Sequence, residues 1–457
     1  MTRRTFISSA MATQISQRSP RPNLVFVVTD GWRGQALPFA GDTNLHAPNL
    51  SRLAQEGIYC SRAYTSYPVC CPSRAAMITG KFPHTVGVSQ NHTRLPLEHT
   101  TMSSVLKDEG YRTGYIGKWH LDGNENPGFV PPERRRGFDY WAAYNLAHQH
   151  FDGVYFRDTP TPIRTSGFEA DYQTDLAIEF LRQPSPGPFF LYLSLVPPHA
   201  PFTPPAKYSG YKPGELRLRA NVPDRIGAAT RGDLAGYYGL CSAVDTNLGR
   251  IWEALDQRGL TNDTIVVFTS DHGQMLGSHG LSGIDLPFEE SSRIPLIIRY
   301  ARRIKPGREY SLPVSNVDYA PTLLSLCGAR LPGGMHGTNL AAVLTDASQT
   351  RKPRPIYAEG GLGTPDEWRM IVLGFDKLVV GPDLRPTQMY NLRRDPHEPD
   401  NRVGRSADRR KLEALLALIW MWRAQTDRHP PTPARGDLRR PDTGAMSLQI
   451  TGNSPPA

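Results

Sequence analysis

Four short apolar runs, "NLVFVVTDG", "RTGYIGKWH", "PFFLYLSLVPPH" and "TIVVFTSDHG", each stop at charged or imidazole side chains. Between and around them lie "APNLSRLAQEG", "TMSSVLKDEG" and "YQTDLAIEFLRQ", whose apolar residues recur with helical spacing. Strand candidates interleaved with amphipathic helices predict an α/β fold. The strand candidates lack polar alternation, so the sheet is expected to be covered on both faces. In open α/β sheets the ligand site lies beyond the carboxyl ends of the strands. Asp30, Lys118 with His120, His199, and Asp271 with His272 all follow the last apolar residues of such runs, so one sheet edge is expected to gather them.

After about residue 350 the texture changes. "PIYAEG", "WRMIVLG", "DKLVVG" and "TQMYNL" read as short strands, and residues 409–426 read as a helix, together a small antiparallel sheet carrying a helix. The expected organisation is a leader over residues 1–21, a catalytic α/β domain over 22–348, the small sheet over 349–429 and a proline-rich tail over 430–457. Arg3-Arg4 followed by Ala10-Met11-Ala12 reads as a twin-arginine export signal with a small-residue cleavage site, which would place the mature protein in a bacterial periplasm. The bland alternative is a solvated basic N-terminus.

No run of eighteen apolar residues occurs, so no membrane span is expected. The net charge of +9 favours an anionic substrate, but it is spread without a basic block, which argues against nucleic acid. Five cysteines, at positions 60, 70, 71, 241 and 327, form an odd set without framework spacing, so no disulfide scaffold is expected.

Two of those cysteines are adjacent in "YPVCCPSRAAMITG". Pro72 suits the first turn of a helix, which sets Cys70 near a helix N-terminus, facing a positive dipole. A thiolate nucleophile, a metal ligand and a vicinal disulfide are the open readings, the dipole favouring the first two, with a buried structural cysteine as the alternative.

Cys70-Cys71-Pro72-Ser73-Arg74, continuing to Gly80, resembles the C-x-P-S-R signature of the formylglycine sulfatases. The segments "APNLSRLAQEG", "GYRTGYIGKWHL", "RGFDYW", "PFFLYLSLVPPHAPF", "DTNLGRIWEAL", "DYAPTLLSLCG" and "MYNLRRDPHEPDN" resemble the same family in order, over residues 22–402. The resemblance implies an alkaline-phosphatase-like fold, a large mixed sheet flanked by helices with a small C-terminal antiparallel sheet plus helix. It implies that a maturation enzyme oxidises Cys70 to formylglycine, whose hydrate supplies the nucleophilic oxygen and a metal ligand. Asp30, Asp271 and His272 would join it around one divalent cation, calcium ahead of magnesium or manganese. Lys118 and His120 would hold the hydrate and a substrate oxygen, His199 would protonate the leaving alcohol, and Arg74 would brace the diol.

Two positions depart from the family pattern. Gly31 stands where a second aspartate is usual, and Ile284 where a sulfate-binding lysine is expected, with His279 or Arg293 as candidate substitutes. Tyr144, Asn145 and His148 are candidates to line the pocket. The expected activity is hydrolysis of a sulfate ester, with sulfated polysaccharide fragments the first choice of substrate. The alternatives are a phosphonate monoester or phosphodiester hydrolase on the same fold, and a degenerate sulfatase-like glycan binder.

Overall fold

A computed structural model of the chain describes residues 21–349 and 352–427. The proposed leader, apart from Arg21, and the proline-rich tail lie outside the described residues.

Eight strands form the main sheet: β1 (Asn23–Thr29), β2 (Ile58–Cys60), β3 (Arg112–Lys118), β4 (Tyr140–Tyr144), β5 (Phe189–Leu195), β6 (Thr264–Ser270), β7 (Leu296–Arg299) and β8 (Arg308–Tyr310). Their order across the sheet is β8-β2-β7-β6-β1-β5-β3-β4. The central run from β6 to β4 is parallel, whereas β7 pairs antiparallel with β6 and β2, so the sheet is mixed. The four sequence-predicted strands are the centre of this sheet. The run "IPLIIRY" also reads as a strand and is β7, whereas β2, β4 and β8, three to five residues long, escaped notice because they carry too little periodicity to read.

β1 explains why its run is apolar throughout. Leu24, Phe26 and Val28 enter one core with Tyr115, Tyr192 and Met77. Val25 and Val27 enter the other, with Phe180, Leu193 and Leu240. The second core is closed by helices α1 (Pro48–Glu56), α3 (Glu169–Arg182) and α4 (Gly227–Gln257). Helix α2 (Cys70–Thr79) covers the first face and is buried along its whole length, which is why its sequence shows no amphipathic stripe.

The C-terminal sheet is antiparallel, β9 (Ile356–Gly360), β10 (Trp368–Leu373), β11 (Asp376–Val380) and β12 (Pro386–Asn391), and carries helix α5 (Arg409–Thr426). Trp422 of α5 packs against Ala76 of α2, Phe82 and Val317. Beside this contact, His84 Nδ1 lies 2.8 Å from Glu359 Oε1 on β9, and Nε2 lies 3.5 Å from Asp427 Oδ1 just past α5. Burial alone would lower the His84 pKa, but Glu359 and then Asp427 outweigh it and raise it. A raised folded pKa means that the imidazolium's contribution is complete below the unfolded value of about 6.5 and is lost as pH rises through the folded one. His84→Gln is therefore expected to lower Tm by roughly 2 °C at about pH 5.5 and by less at about pH 9, measured by thermal melts across that range.

Candidate active site

β1 and β6 are neighbours in register, Thr29 opposite Ser270, so the residues that follow them emerge side by side. Asp271 N–H donates to the Thr29 carbonyl at 3.1 Å, and Gly31 N–H donates to Asp271 Oδ1 at 3.2 Å. Gly31 has φ +82°, a left-handed turn that bends the chain away immediately after Asp30. Cys70 is the first residue of α2, after Val69 in extended conformation, and its thiol meets the two strand ends. Cys70 Sγ lies 3.2 Å from His272 Nε2 and 3.7 Å from Asp30 Oδ1. His272 Nε2 lies 3.2 Å from Asp30 Oδ1 and 3.6 Å from Asp271 Oδ1. Asp30, Cys70, Asp271 and His272 thus offer ligand atoms within 4.8 Å of one another, all four buried.

Two fixed cations sit under and beside this group. Lys118, the last residue of β3 and 0% exposed, donates from Nζ to Asp30 Oδ2 at 2.7 Å. Arg74, one turn along α2, directs Nε to Asp271 Oδ2 at 3.0 Å and Nη2 to Asp30 Oδ2 at 3.5 Å. Its Nη1 donates to the Lys118 carbonyl at 2.9 Å and to Ser194 Oγ at 2.6 Å. The guanidinium therefore clamps the two carboxylates and the end of β3. Burial would push the Asp30 carboxyl up, but Lys118, His199 and His272 hold it well below the usual carboxylate range. Burial likewise opposes the charge on His272, yet Asp271, Cys70 and Asp30 raise its pKa well above the ordinary histidine value. That field attracts positive charge strongly.

The open side of the site is lined by imidazoles. His148 Nε2 lies 2.8 Å from Lys118 Nζ, and its ring stacks on His199 at 4.1 Å with 10° between planes. Lys118 is the largest influence on His148 and drives its pKa down to about 2, with burial second. His199 Nδ1–H donates to the Ala200 carbonyl at 2.6 Å, leaving Nε2 as the free ring nitrogen. His120 is buried with neither ring nitrogen partnered, and burial, then Lys118 and Arg74, keep it neutral. His92 lies with its ring 5.4 Å from that of His120.

Every sequence-predicted site residue reaches this edge: Asp30, Cys70, Arg74, Lys118, His120, His199, Asp271 and His272. Of the three candidate pocket residues only His148 does. Tyr144 is buried and donates to Glu169, whose carboxyl burial pushes up to about 7. Asn145 clamps a loop, accepting from Asp122 N–H at 3.1 Å and donating to the Gly123 carbonyl at 3.0 Å. Neither substitute for the absent lysine enters the group. His279 stacks on Phe288 at 4.0 Å, and half-buried Arg293 lies beside Tyr59 and Glu289, which raise its pKa. Ile284 packs on Tyr67, Val69 and Leu362, an apolar wall beside the start of α2. All five cysteines are free and buried.

Supports that the sequence did not announce are Ser73, which donates to the Asp271 carbonyl, and Asn316, which donates to Ser73 Oγ at 3.0 Å. Ser194 completes them, donating to the Lys118 carbonyl at 2.7 Å. Their partners come from other elements, so no local spacing marks them. Because Arg74 compensates two buried carboxylates, Arg74→Ala is expected to destabilise the fold by about 3–5 kcal/mol in urea denaturation. Arg74→Lys, a point charge unable to bridge both, is expected to restore only part of it.

Comparison with known proteins agrees with this geometry. The Sulfatase family model matches residues 22–329. The ulvan-active sulfatase of Formosa agariphila is 36% identical over 332 residues, which cover 71% of this chain and 65% of that protein. The N-acetylglucosamine-6-O-sulfatase of Bacteroides thetaiotaomicron is 28% identical over 90% of this chain and 88% of its own length. Among solved structures, the yidJ protein of Bacteroides fragilis superposes with a TM-score of 0.82 at 30% identity, covering 91% of this chain and 98% of that one. A C-x-P-S-R stretch whose cysteine lies among two buried aspartates, and a family model that takes in all three, make the conclusion direct: the chain belongs to the sulfatase family.

Proposed function

We propose that the protein hydrolyses the sulfate ester of a carbohydrate, using formylglycine formed from Cys70 and one divalent cation. The observation that carries the reading is the convergence of Asp30, Cys70, Asp271 and His272 in one buried group, with Lys118, His148 and His199 facing it. The donor set fits a cation: two carboxylates, an imidazole and the position-70 side chain surround a field that already draws positive charge onto His272. Asp30, Asp271 and His272 would hold calcium, or magnesium or manganese, supplying fixed positive charge, while hydrated formylglycine at position 70 supplies a further ligand and the nucleophilic oxygen.

The remaining side chains act on the substrate. A sulfate ester carries dispersed negative charge that moves toward the leaving oxygen as the S–O bond breaks. Lys118 has one N–H on Asp30 and one on His148, and its third is available to a sulfate oxygen. His199 Nε2 carries the proton delivered to the departing alcohol oxygen; burial lowers its pKa in the free site, and the arriving anion favours its charged form. His120, buried and neutral, is the acceptor for the proton released from the position-70 side chain in the second half of the reaction. Arg74 keeps both aspartates ionised and in place.

The carbohydrate assignment is supported by the names of the ulvan-active and N-acetylglucosamine-6-O relatives and by the excess of basic residues. The Arg3-Arg4 leader supports export to a bacterial periplasm, and formylglycine requires a maturation enzyme. Expressed with that machinery, the peptide spanning Cys70 is expected to show the mass of the aldehyde. Cys70→Ala is expected to lower kcat/KM on sulfate esters by roughly a thousandfold or more. An unmodified thiol, with a control sulfatase converted alongside, would overturn this nucleophile. Dialysis against a chelator is expected to abolish turnover and added calcium to restore it. A clear preference for phosphate diesters over sulfate monoesters in matched rates would favour the phosphodiesterase alternative, for which Ile284 in place of a lysine is the specific observation.

A further inference from the structure

The three groups that face the buried site come from three neighbouring strands. Lys118 ends β3, and β4 and β5 flank β3 on either side. His148 lies four residues past the end of β4, and His199 four residues past the end of β5. The two imidazoles therefore approach from opposite sides and stack on one another, the His148 ring also meeting the ammonium.

Their contacts fix one another. An ammonium only donates, so His148 Nε2, 2.8 Å from Lys118 Nζ, is the acceptor, and the proton of the neutral ring sits on Nδ1. With its other measured bond to Asp30 Oδ2 at 2.7 Å, the Lys118 ammonium has two of its three N–H directions set, which sets the third. The parallel stack at 4.1 Å sets the plane of the His199 ring, and the Ala200 carbonyl, 2.6 Å from Nδ1, sets its rotation. Two residues beyond His148, His150 Nε2–H donates to the His199 carbonyl at 2.7 Å, so the same loop grips His199 by ring and by backbone.

We propose that His148 is a positioning residue that aims both the sulfate-holding ammonium of Lys118 and the proton-donating ring of His199. The inference rests on the sulfate-ester reading above. It assigns to one side chain two functions that can be separated: an acceptor lone pair for Lys118, and a flat face for His199. His148→Gln keeps an acceptor and removes the face. His148→Phe keeps the face and removes the acceptor.

Two measurements test it. In histidine-labelled wild-type protein, two-bond nitrogen–proton spectra are expected to show His148 and His199 both as Nδ1–H tautomers, and an Nε2–H tautomer at His148 overturns the proposal independently of activity. In the matured, metal-loaded enzyme, kcat/KM is then compared between 4-nitrophenyl sulfate, whose leaving group needs little protonation, and simple alkyl sulfates, whose leaving group needs it fully. His148→Gln is expected to lose at least about tenfold more on the alkyl sulfates, as a variant with a misdirected acid must. His148→Phe is expected to raise KM about tenfold on both substrate types without changing their ratio. No loss on either substrate in either variant overturns the proposal. His199→Ala separates this inference from the reading beneath it. A steep leaving-group dependence in His199→Ala with a flat one in His148→Gln overturns the stacking role alone. A flat response in His199→Ala overturns the proton-donor reading together with the stacking role, and the KM of His148→Phe then decides the Lys118 role.

Discussion

Asp30 and Asp271 lie at 0% exposure at the ends of two adjacent central strands, and the architecture around them answers the problem of keeping two carboxylates charged there. Buried charges persist only when paired and hydrogen-bonded. Arg74 reaches both, Lys118 reaches Asp30, and His272 lies against each of them. These partners come from α2, from β3 and from the residues after β6, so the site cannot assemble until the sheet and its covering helix have.

That dependence gives α2 its unusual character. A helix that must deliver Cys70 at its first turn and Arg74 one turn later into the centre of the molecule has no solvent face left. Ser73 is held by Asp271 and Asn316, and Ala76 packs on Trp422 of the C-terminal helix. The small C-terminal sheet therefore supports the helix that carries Cys70, and His84 ties the same corner to β9. The floor of the site is buried, while His148 and His199 are only half-buried.

Much of this was legible in the sequence. The strand-end positions of Asp30, Lys118 and Asp271 follow from where apolar runs stop, and the helix over 409–426 has the bounds its periodicity gives. The C-x-P-S-R stretch named the family. Two readings needed correction. Tyr144 and Asn145, adjacent to the right loop, turn inward to Glu169 and to the 122–125 segment. His279 stacks on Phe288, and Arg293 lies beside Tyr59 and Glu289. In each case residue type and chain position were informative, and the direction of the side chain was not.

By itself, then, the sequence determined which of the longer elements form, which residues stand at the carboxyl ends of the strands, and which family the C-x-P-S-R stretch belongs to, because periodicity, turn chemistry and a contiguous motif are local properties of the chain. Only the tertiary structure decided that β4 and β5 flank β3, and with that order the stacking of His148 on His199. Strand order is fixed by how two apolar faces are buried together across hundreds of residues, and no window of sequence contains it.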